Sequence, residues 1–133
     1  MSNLCIDTSA YSHFKAGDSQ AAKLISQSRN VGIPAIVLGE LRAGFLMGNR
    51  AAKNEQELNM FISNPVVKVM DVDEEASRIY AELVVELKAA GTPIPTNDIW
   101  IAALSLRDGA SILTFDKHFE LIKRVGVYLL KVN

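Results

Sequence analysis

Five short runs of mostly aliphatic residues alternate along the chain with longer segments that have helical periodicity. The runs are nearly continuous in apolar residues and do not alternate with polar ones, which is typical of strands that are buried on both faces. Such strands occur in parallel sheets with helices on both sides. The pattern therefore predicts an α/β fold, in which a parallel sheet lies between two layers of helices. The predicted strands cover residues 3–7, 31–33, 66–70, 111–114 and 127–130.

The segments between these runs have helix signals of their own. A helix is predicted to start just after Asp7, and others cover residues 19–28, 35–45, 51–62, 76–87, 96–108 and 117–124. Gly48-Asn49, Gly91 and Gly109 are the expected stops, because glycine adopts the left-handed conformation that ends many helices. At 133 residues, the chain has the size of one domain, and we predict a single domain over residues 1–133.

The composition excludes several classes of protein. Apolar residues make up 49% of the chain and charged residues 22%, which is unlike a disordered protein. No apolar run approaches the ~20 residues that cross a bilayer, so we expect no membrane partner, and no signal peptide is recognised. The single cysteine, Cys5, cannot form an internal disulfide, which favours a cytoplasmic location. The net charge of −1 argues neither for nor against a nucleic-acid substrate.

Four carboxylates are expected to meet at one edge of the sheet. Asp7 ends the first strand, Asp116 follows the fourth, Asp98 opens a helix, and Glu40 lies one turn into the helix after the second strand. In open parallel sheets, functional residues collect where strands end and helices begin. Four uncompensated charges at close range would repel one another. A hard cation such as Mg²⁺ or Mn²⁺, which prefers oxygen ligands, would relieve that repulsion.

Each of these acids also has a purely structural explanation. Asp7 and Asp98 are good N-caps, and Asp116 is a common type of turn residue. Glu40 could be a solvated helix charge. One such residue alone would favour the structural explanation, whereas four at one predicted edge favour a site. His13 and His118 are isolated in the sequence, so no zinc-binding spacing is present.

Four sequence segments together resemble the PIN-domain family, and more narrowly the VapC-type toxins of prokaryotic toxin–antitoxin pairs. Their order and spacing cover essentially the whole chain, and the third is the most specific. The segments are Asp7-Thr8-Ser9, Gly39-Glu40-Leu41-Arg42-Ala43-Gly44, Pro95-Thr96-Asn97-Asp98-Ile99-Trp100-Ile101-Ala102-Ala103 and Leu113-Thr114-Phe115-Asp116-Lys117-His118-Phe119.

The resemblance implies a five-stranded parallel sheet, a homodimer, and an endoribonuclease that depends on Mg²⁺ or Mn²⁺ and cleaves tRNA or rRNA. It also implies inhibition by a small VapB-like antitoxin. Asp7, Glu40, Asp98 and Asp116 match the acidic quartet of the family, which is both catalytic and metal-binding. Thr114 and Ser9 match hydroxyl positions that support the acids.

Hydrolysis by metal-activated water needs neither the 2′-hydroxyl nor a histidine pair, so we expect 5′-phosphate and 3′-hydroxyl ends. Arg42, Lys117, Arg50 and Lys53 flank the acids in sequence and are candidates for phosphate contacts. Leu46, Met47 and Phe61 are candidate antitoxin contacts, although each could equally belong to the core.

Two other functions are possible on the sequence alone. A haloacid-dehalogenase-like phosphohydrolase also has an aspartate after its first strand, but it needs a second aspartate two positions later, where this chain has Ser9. A PIN-fold module that binds a protein partner without catalysis is the other alternative, and the intact acids argue against it.

Overall fold

A computed structural model of the protein describes residues 3–132, and within them five strands form one sheet. The strands have the order β3-β2-β1-β4-β5, and each neighbouring pair is parallel. This confirms the predicted five-stranded parallel sheet. The strands are β1 Asn3–Ile6, β2 Asn30–Pro34, β3 Val67–Met70, β4 Ser111–Thr114 and β5 Val127–Leu129.

Six α-helices and one short 3₁₀ helix connect the strands of the described chain. They are α1 Thr8–Lys15, α2 Ser19–Gln27, α3 Ala35–Met47, α4 Ala51–Ile62, α5 Glu74–Ala90, α6 Thr96–Asp108 and the 3₁₀ helix Lys117–Leu121. Three of the α-helices begin at an aspartate whose carboxylate accepts a hydrogen bond from the backbone N–H three residues later: Asp7, Asp18 and Asp73. Gly91 and Gly109 end α5 and α6 with φ angles of 67° and 65°, as the glycine signals predicted.

The strand order separates the helices into two layers. From β1 to β3 the chain moves outward in one direction, and from β3 it returns to β4, on the other side of β1. Parallel crossovers are almost always right-handed, so α1–α4 and α5–α6 lie on opposite faces of the sheet. The three-layer α/β/α prediction is thereby confirmed. The reversal creates a switch point between β1 and β4, where open α/β sheets place their ligand sites.

The core is made by the sheet and the inner faces of both helical layers. After their first residues, Asn3 and Ser111, the side chains of β1 and β4 are almost entirely inaccessible, which explains why these strands are mostly apolar. Asp7 and Thr114 are also buried, at the carboxyl ends of β1 and β4. Two polar side chains therefore lie at the switch point, where the apolar strands β1 and β4 end.

One predicted helix is shorter than expected. A short helix was predicted over residues 117–124, and the structure has a 3₁₀ helix that ends at Leu121 and is followed by a turn. Phe119, Ile122 and Val125 are all buried, so the segment is pinned at three points while it crosses from β4 to β5. A 3₁₀ helix rises ≈ 2.0 Å per residue against 1.5 Å for an α-helix, so it spans more distance with the same residues.

The limits of the other elements differ from the predictions by a few residues. The predicted domain over residues 1–133 also includes Met1, Ser2 and Asn133, which lie outside the described residues, and it stays a prediction. Within residues 3–132, no helix combines the length and the apolarity that spanning a bilayer requires.

Candidate active site

Asp7 is the most deeply buried acid of the switch point, and its side chain is only 5% exposed. One carboxylate oxygen accepts hydrogen bonds from the Ala10 backbone N–H and from the Ser9 hydroxyl, each at 2.8 Å. The other accepts one from the Thr114 hydroxyl at 2.5 Å. Burial raises the pKa of Asp7 above its usual value, and these hydrogen bonds oppose that rise. Asp7 is therefore both the N-cap of α1 and a fixed acid at the end of β1.

Thr114 and Ser9 connect the two halves of the switch point. The Thr114 hydroxyl donates to Asp7 and accepts a hydrogen bond from the Asp116 backbone N–H at 2.9 Å. The Ser9 hydroxyl accepts one from the Phe115 backbone N–H at 3.0 Å. The loop after β4 is thus held by the same hydroxyls that contact Asp7. This is the supporting position that the resemblance implied for both residues.

Asp98 lies in the first turn of α6, which begins at the same edge of the sheet. Its side chain is 16% exposed. The pKa of Asp98 is raised to about 6, first by burial and then by the negative charges of Asp116, Asp7 and Glu40, while His118 lowers it. Hydrogen bonds connect the elements that carry the acids: Thr114 joins Asp7 to the backbone of Asp116, and the neighbours of Asp7 and Asp98 in sequence, Thr8 and Asn97, both donate to Glu40. The structure therefore brings the four predicted acids to one edge of the sheet.

Glu40 is oriented by two side chains that the sequence analysis did not identify. The Thr8 hydroxyl donates a hydrogen bond of 2.6 Å to one of its oxygens, and the Asn97 amide donates one of 3.2 Å to the other. Thr8 belongs to α1 and Asn97 to α6, whereas Glu40 belongs to α3. Both donors stand directly beside a predicted acid in the sequence, and that adjacency was the available signal.

His118 is a further side chain that sequence reasoning missed at this site. Its Nδ1 lies 3.1 Å from Asp116 Oδ1 and 3.8 Å from Asp98 Oδ2. Although His118 is isolated in the sequence, the fold places it beside two of the predicted acids. The 3₁₀ helix causes this placement, because it turns the chain tightly just after Asp116, whose carboxylate accepts a hydrogen bond from the His118 backbone N–H at 2.9 Å.

The donor set suits a divalent cation. Asp98, Asp116 and His118 each offer one ligand atom, and these atoms all lie within 4.8 Å of one another. The raised pKa of Asp98 reports negative charge that the surrounding protein leaves uncompensated. Carboxylate oxygens are the ligands that Mg²⁺ and Mn²⁺ prefer. The residues at the switch point therefore fit the cation that the resemblance implied.

Comparison with known proteins places this arrangement in a family. The sequence pattern of the PIN domain matches residues 4–125, almost the whole chain. The chain belongs to the VapC-type PIN-domain family. Ribonuclease VapC4 of Mycobacterium tuberculosis is 33% identical over 96 residues, which cover 72% of this chain and 74% of that protein. Ribonuclease VapC2 of Rickettsia felis is 28% identical over 131 residues, which cover 97% and 92%.

A solved structure agrees with this assignment. The crystal structure of VapBC2 from Rickettsia felis, bound to a DNA fragment from its promoter, matches with a TM-score of 0.83 and 25% identity. The match covers 97% of this chain and 99% of that one. Membership of the PIN-domain family argues against the haloacid-dehalogenase alternative, which belongs to a different class.

The basic side chains predicted to contact phosphate differ in their exposure and in whether they pair with a carboxylate of this PIN domain. The Arg42 guanidinium donates to both carboxylate oxygens of Glu55, at 2.9–3.1 Å, and so joins α3 to α4. Lys117 is exposed and directly follows Asp116 in the 3₁₀ helix. Arg50 and Lys53 are exposed at the start of α4. The phosphate-contact prediction stays open for all four, and the geometry favours Lys117 over Arg42.

Proposed function

We propose that the protein is a Mg²⁺- or Mn²⁺-dependent endoribonuclease and the toxin of a VapBC-type toxin–antitoxin pair. The observation that carries the proposal is the meeting of four acids from distant parts of the chain at the switch point of a VapC-type PIN fold. The names of relatives from two organisms, Ribonuclease VapC4 and Ribonuclease VapC2, support the ribonuclease activity. We assign Asp7, Glu40, Asp98 and Asp116 as the catalytic acids.

The four acids take different parts in the proposed reaction. Asp98 and Asp116 would hold the cation directly, since their oxygens are close together and less buried than those of Asp7. When bound, such a cation lowers the pKa of a coordinated water and offsets charge on the phosphoryl oxygens. Asp7, which accepts hydrogen bonds from Ser9 and Thr114, would add a further negative charge beside the cation. Glu40, held by two hydrogen bonds at its more exposed rim, is placed to accept a proton from water.

The proposed substrate is RNA, because the relatives Ribonuclease VapC4 and Ribonuclease VapC2 are named as ribonucleases. Lys117 stands beside Asp116 on the exposed rim, where a phosphate of the strand can pair with its ammonium group. In the proposed cleavage, water attacks the phosphorus and the P–O3′ bond breaks, which leaves a 5′-phosphate on one product and a 3′-hydroxyl on the other. A 2′,3′-cyclic phosphate would instead require attack by the 2′-hydroxyl.

The test is cleavage of end-labelled tRNA and rRNA by the purified protein, with Mg²⁺, with Mn²⁺ and with EDTA. We expect cation-dependent cleavage that leaves 5′-phosphate ends. Asp98→Asn and Asp116→Asn should each lower the rate by about 10²-fold or more, because each removes charge that holds the cation. Asp18→Asn is the matched control, since Asp18 caps α2 away from the site and its loss should leave cleavage unchanged. Equal cleavage by all variants in EDTA would overturn the proposal.

The proposed protein partner is a VapB-like antitoxin. The side chains of Leu46, Met47 and Met60 are 79%, 83% and 68% exposed, an unusual exposure for such apolar residues. Leu46 and Met47 end α3, the helix that carries Glu40, and Met60 lies near the end of α4. Phe61, the third predicted contact, packs instead against Tyr11 and Phe14, with ring centroids 5.2 and 5.6 Å away. We therefore assign Leu46 and Met47 to the antitoxin surface and Phe61 to the core.

Expression in a bacterial host tests the toxin assignment. The chain alone should arrest growth, Asp98→Asn should not, and co-expression of the cognate antitoxin should relieve the arrest. Leu46→Asp with Met47→Asp should weaken antitoxin binding by about tenfold or more while RNA cleavage persists, because the apolar contacts are lost but the acids stay. Arrest by Asp98→Asn would separate toxicity from cleavage and contradict the proposal.

We propose in addition that the protein is a cytoplasmic homodimer, as the family resemblance implies. Sedimentation analysis of the purified chain at micromolar concentration tests the dimer. A mass of one chain, 14.5 kDa, at every concentration would contradict it.

A further inference from the structure

We infer that His118 is a nitrogen ligand of the cation at this site and that it shifts the preference of the site from Mg²⁺ towards Mn²⁺. The inference rests on the proposed cation site and goes beyond the acidic quartet. It starts from the position of His118 Nδ1, which faces the carboxylates of Asp98 and Asp116 at 3.8 and 3.1 Å.

The geometry of the three side chains is that of one face of a coordination shell. Their ligand atoms lie within 4.8 Å of one another, which leaves room for a cation between them. Neighbouring ligands of an octahedral ion at 2.0–2.1 Å lie about 2.9 Å apart, close to the 3.1 and 3.8 Å between His118 Nδ1 and the two carboxylates, so small rotations of the side chains would complete the contacts. The His118 side chain is 51% exposed, so it is free to make such a rotation.

The backbone holds His118 in this position. Asp116 caps the 3₁₀ helix by accepting a hydrogen bond from the His118 N–H, so the two side chains leave adjacent points of one tight turn. The next residue, Phe119, is fully buried and anchors that turn to the core. The imidazole therefore reaches the acids because the fold fixes its backbone there, and not through a flexible loop.

The ligand chemistry determines the preference. Both ions prefer oxygen ligands, but Mg²⁺ does so strongly and retains its waters, whereas Mn²⁺, a transition-metal ion, accepts an imidazole more readily than Mg²⁺ does. A site of carboxylates alone distinguishes the two ions poorly. Replacing one oxygen by the imidazole nitrogen of His118 gives Mn²⁺ an advantage that Mg²⁺ does not share.

Binding of Mn²⁺ alone to the purified full-length protein, followed by electron paramagnetic resonance, tests the inference without any activity measurement. Pulsed spectra of the bound ion should show modulation from a coordinated ¹⁴N nucleus. The chain contains only two histidines, so His13→Ala is the matched control. His13 packs against Phe115, with ring centroids 4.1 Å apart, and is not among the three grouped ligands. We expect the ¹⁴N modulation in wild type and in His13→Ala, but not in His118→Ala.

Titrations should show the same difference in affinity. His118→Ala should weaken Mn²⁺ binding by about tenfold and Mg²⁺ binding by less than about threefold. The variant loses the nitrogen ligand, which favours Mn²⁺, and keeps the carboxylate ligands, which bind both ions. His118→Asp, which restores an oxygen ligand, should bind Mg²⁺ at least as tightly as the wild type. Circular dichroism of each variant verifies that the fold is retained.

The outcomes separate this inference from the proposed function. If Asp98→Asn loses Mn²⁺ while His118→Ala binds it like the wild type and the wild type shows no ¹⁴N modulation, the cation site stands and the role of His118 is refuted. If Asp98→Asn and wild type bind Mn²⁺ equally, the proposed cation site itself is refuted, and the inference with it.

Discussion

At the scale of single residues, Asp7 combines two roles that mutation can separate. It caps α1, and it is one of the four acids. Asp7→Ala removes the cap and leaves the Thr114 hydroxyl and the Ala10 N–H without their acceptor, so we expect a loss of about 2 kcal/mol in the free energy of unfolding. Asp18→Ala removes a cap of the same type on α2 and should cost about 1 kcal/mol.

Urea unfolding of both variants, with RNA cleavage measured in parallel, tests this prediction. Only Asp7→Ala should lose cleavage, because Asp18 lies outside the group of acids. Equal losses of cleavage in the two variants would mean that the activity follows stability and not the carboxylate at position 7.

Asp98 makes the stability of the metal-free protein depend on pH. Its pKa rises from 3.8 to about 6 in the folded state, so between these values the folded state binds more protons than the unfolded state. The contribution of Asp98 to the free energy of unfolding is therefore greatest below about pH 4, and it is lost as the pH rises through about 6. Asp98→Asn removes that loss. Without divalent cations, the variant should be more stable than the wild type by on the order of 1 kcal/mol at pH 7, after discounting for solvent screening.

Thermal unfolding in EDTA at pH 4 and at pH 7 checks this expectation. The difference in stability between the variant and the wild type should be much smaller at pH 4, where Asp98 is protonated in the folded state and partly protonated in the unfolded state. The same difference at both pH values would contradict the role assigned to the charge.

At the scale of elements, two glycines in helices should respond to alanine in opposite ways. Gly109 ends α6 with a φ of 65°, which an alanine side chain opposes, so Gly109→Ala should cost about 1 kcal/mol. Gly44 lies inside α3, and an added Cβ would have no atom within 4 Å, so Gly44→Ala should stabilise by about 0.5–1 kcal/mol. Urea unfolding of both variants gives the sign of the change in the free energy of unfolding. A decrease for Gly44→Ala would contradict the helical assignment of that position.

The elements themselves could be predicted because local signals determine them. Aliphatic runs, aspartate caps and glycine stops all act within a few residues, so the five strands and most helices were recognised. The 3₁₀ type and early end of the helix after Asp116 were not predicted, since they depend on the buried anchors Phe119 and Ile122, which only the folded chain provides. The position of His118 beside Asp98 follows from that helix and was missed with it.

The candidate site was predictable in its acids but not in its partners. The four carboxylates follow strands or open helices, so their convergence follows from the parallel topology. The donors to Glu40, Thr8 and Asn97, come from different elements, and their contacts depend on how α1, α3 and α6 pack. The pairing of Arg42 with Glu55 likewise depends on the packing of α3 on α4.

At the scale of the whole molecule, the cation should stabilise the folded chain by mass action. At a concentration of 100 times its dissociation constant, a ligand of the folded state adds about 2.7 kcal/mol. For a chain of this size, that corresponds to a rise of several degrees in the melting temperature. Scanning calorimetry with Mn²⁺ should show this rise in the wild type and less than half of it in Asp98→Asn. A rise of the same size in both would place the bound ion elsewhere.

The hydrogen bond between Thr114 and Asp7 joins residues that are 107 positions apart in sequence. During translation, Asp7 emerges first and must wait for β4, which at 5–20 residues per second takes roughly 5–20 s. A nascent chain therefore carries no assembled acidic centre until residues 111–116 have left the ribosome. For a protein proposed to cut RNA, this order of emergence delays any cleavage until most of the chain has been made.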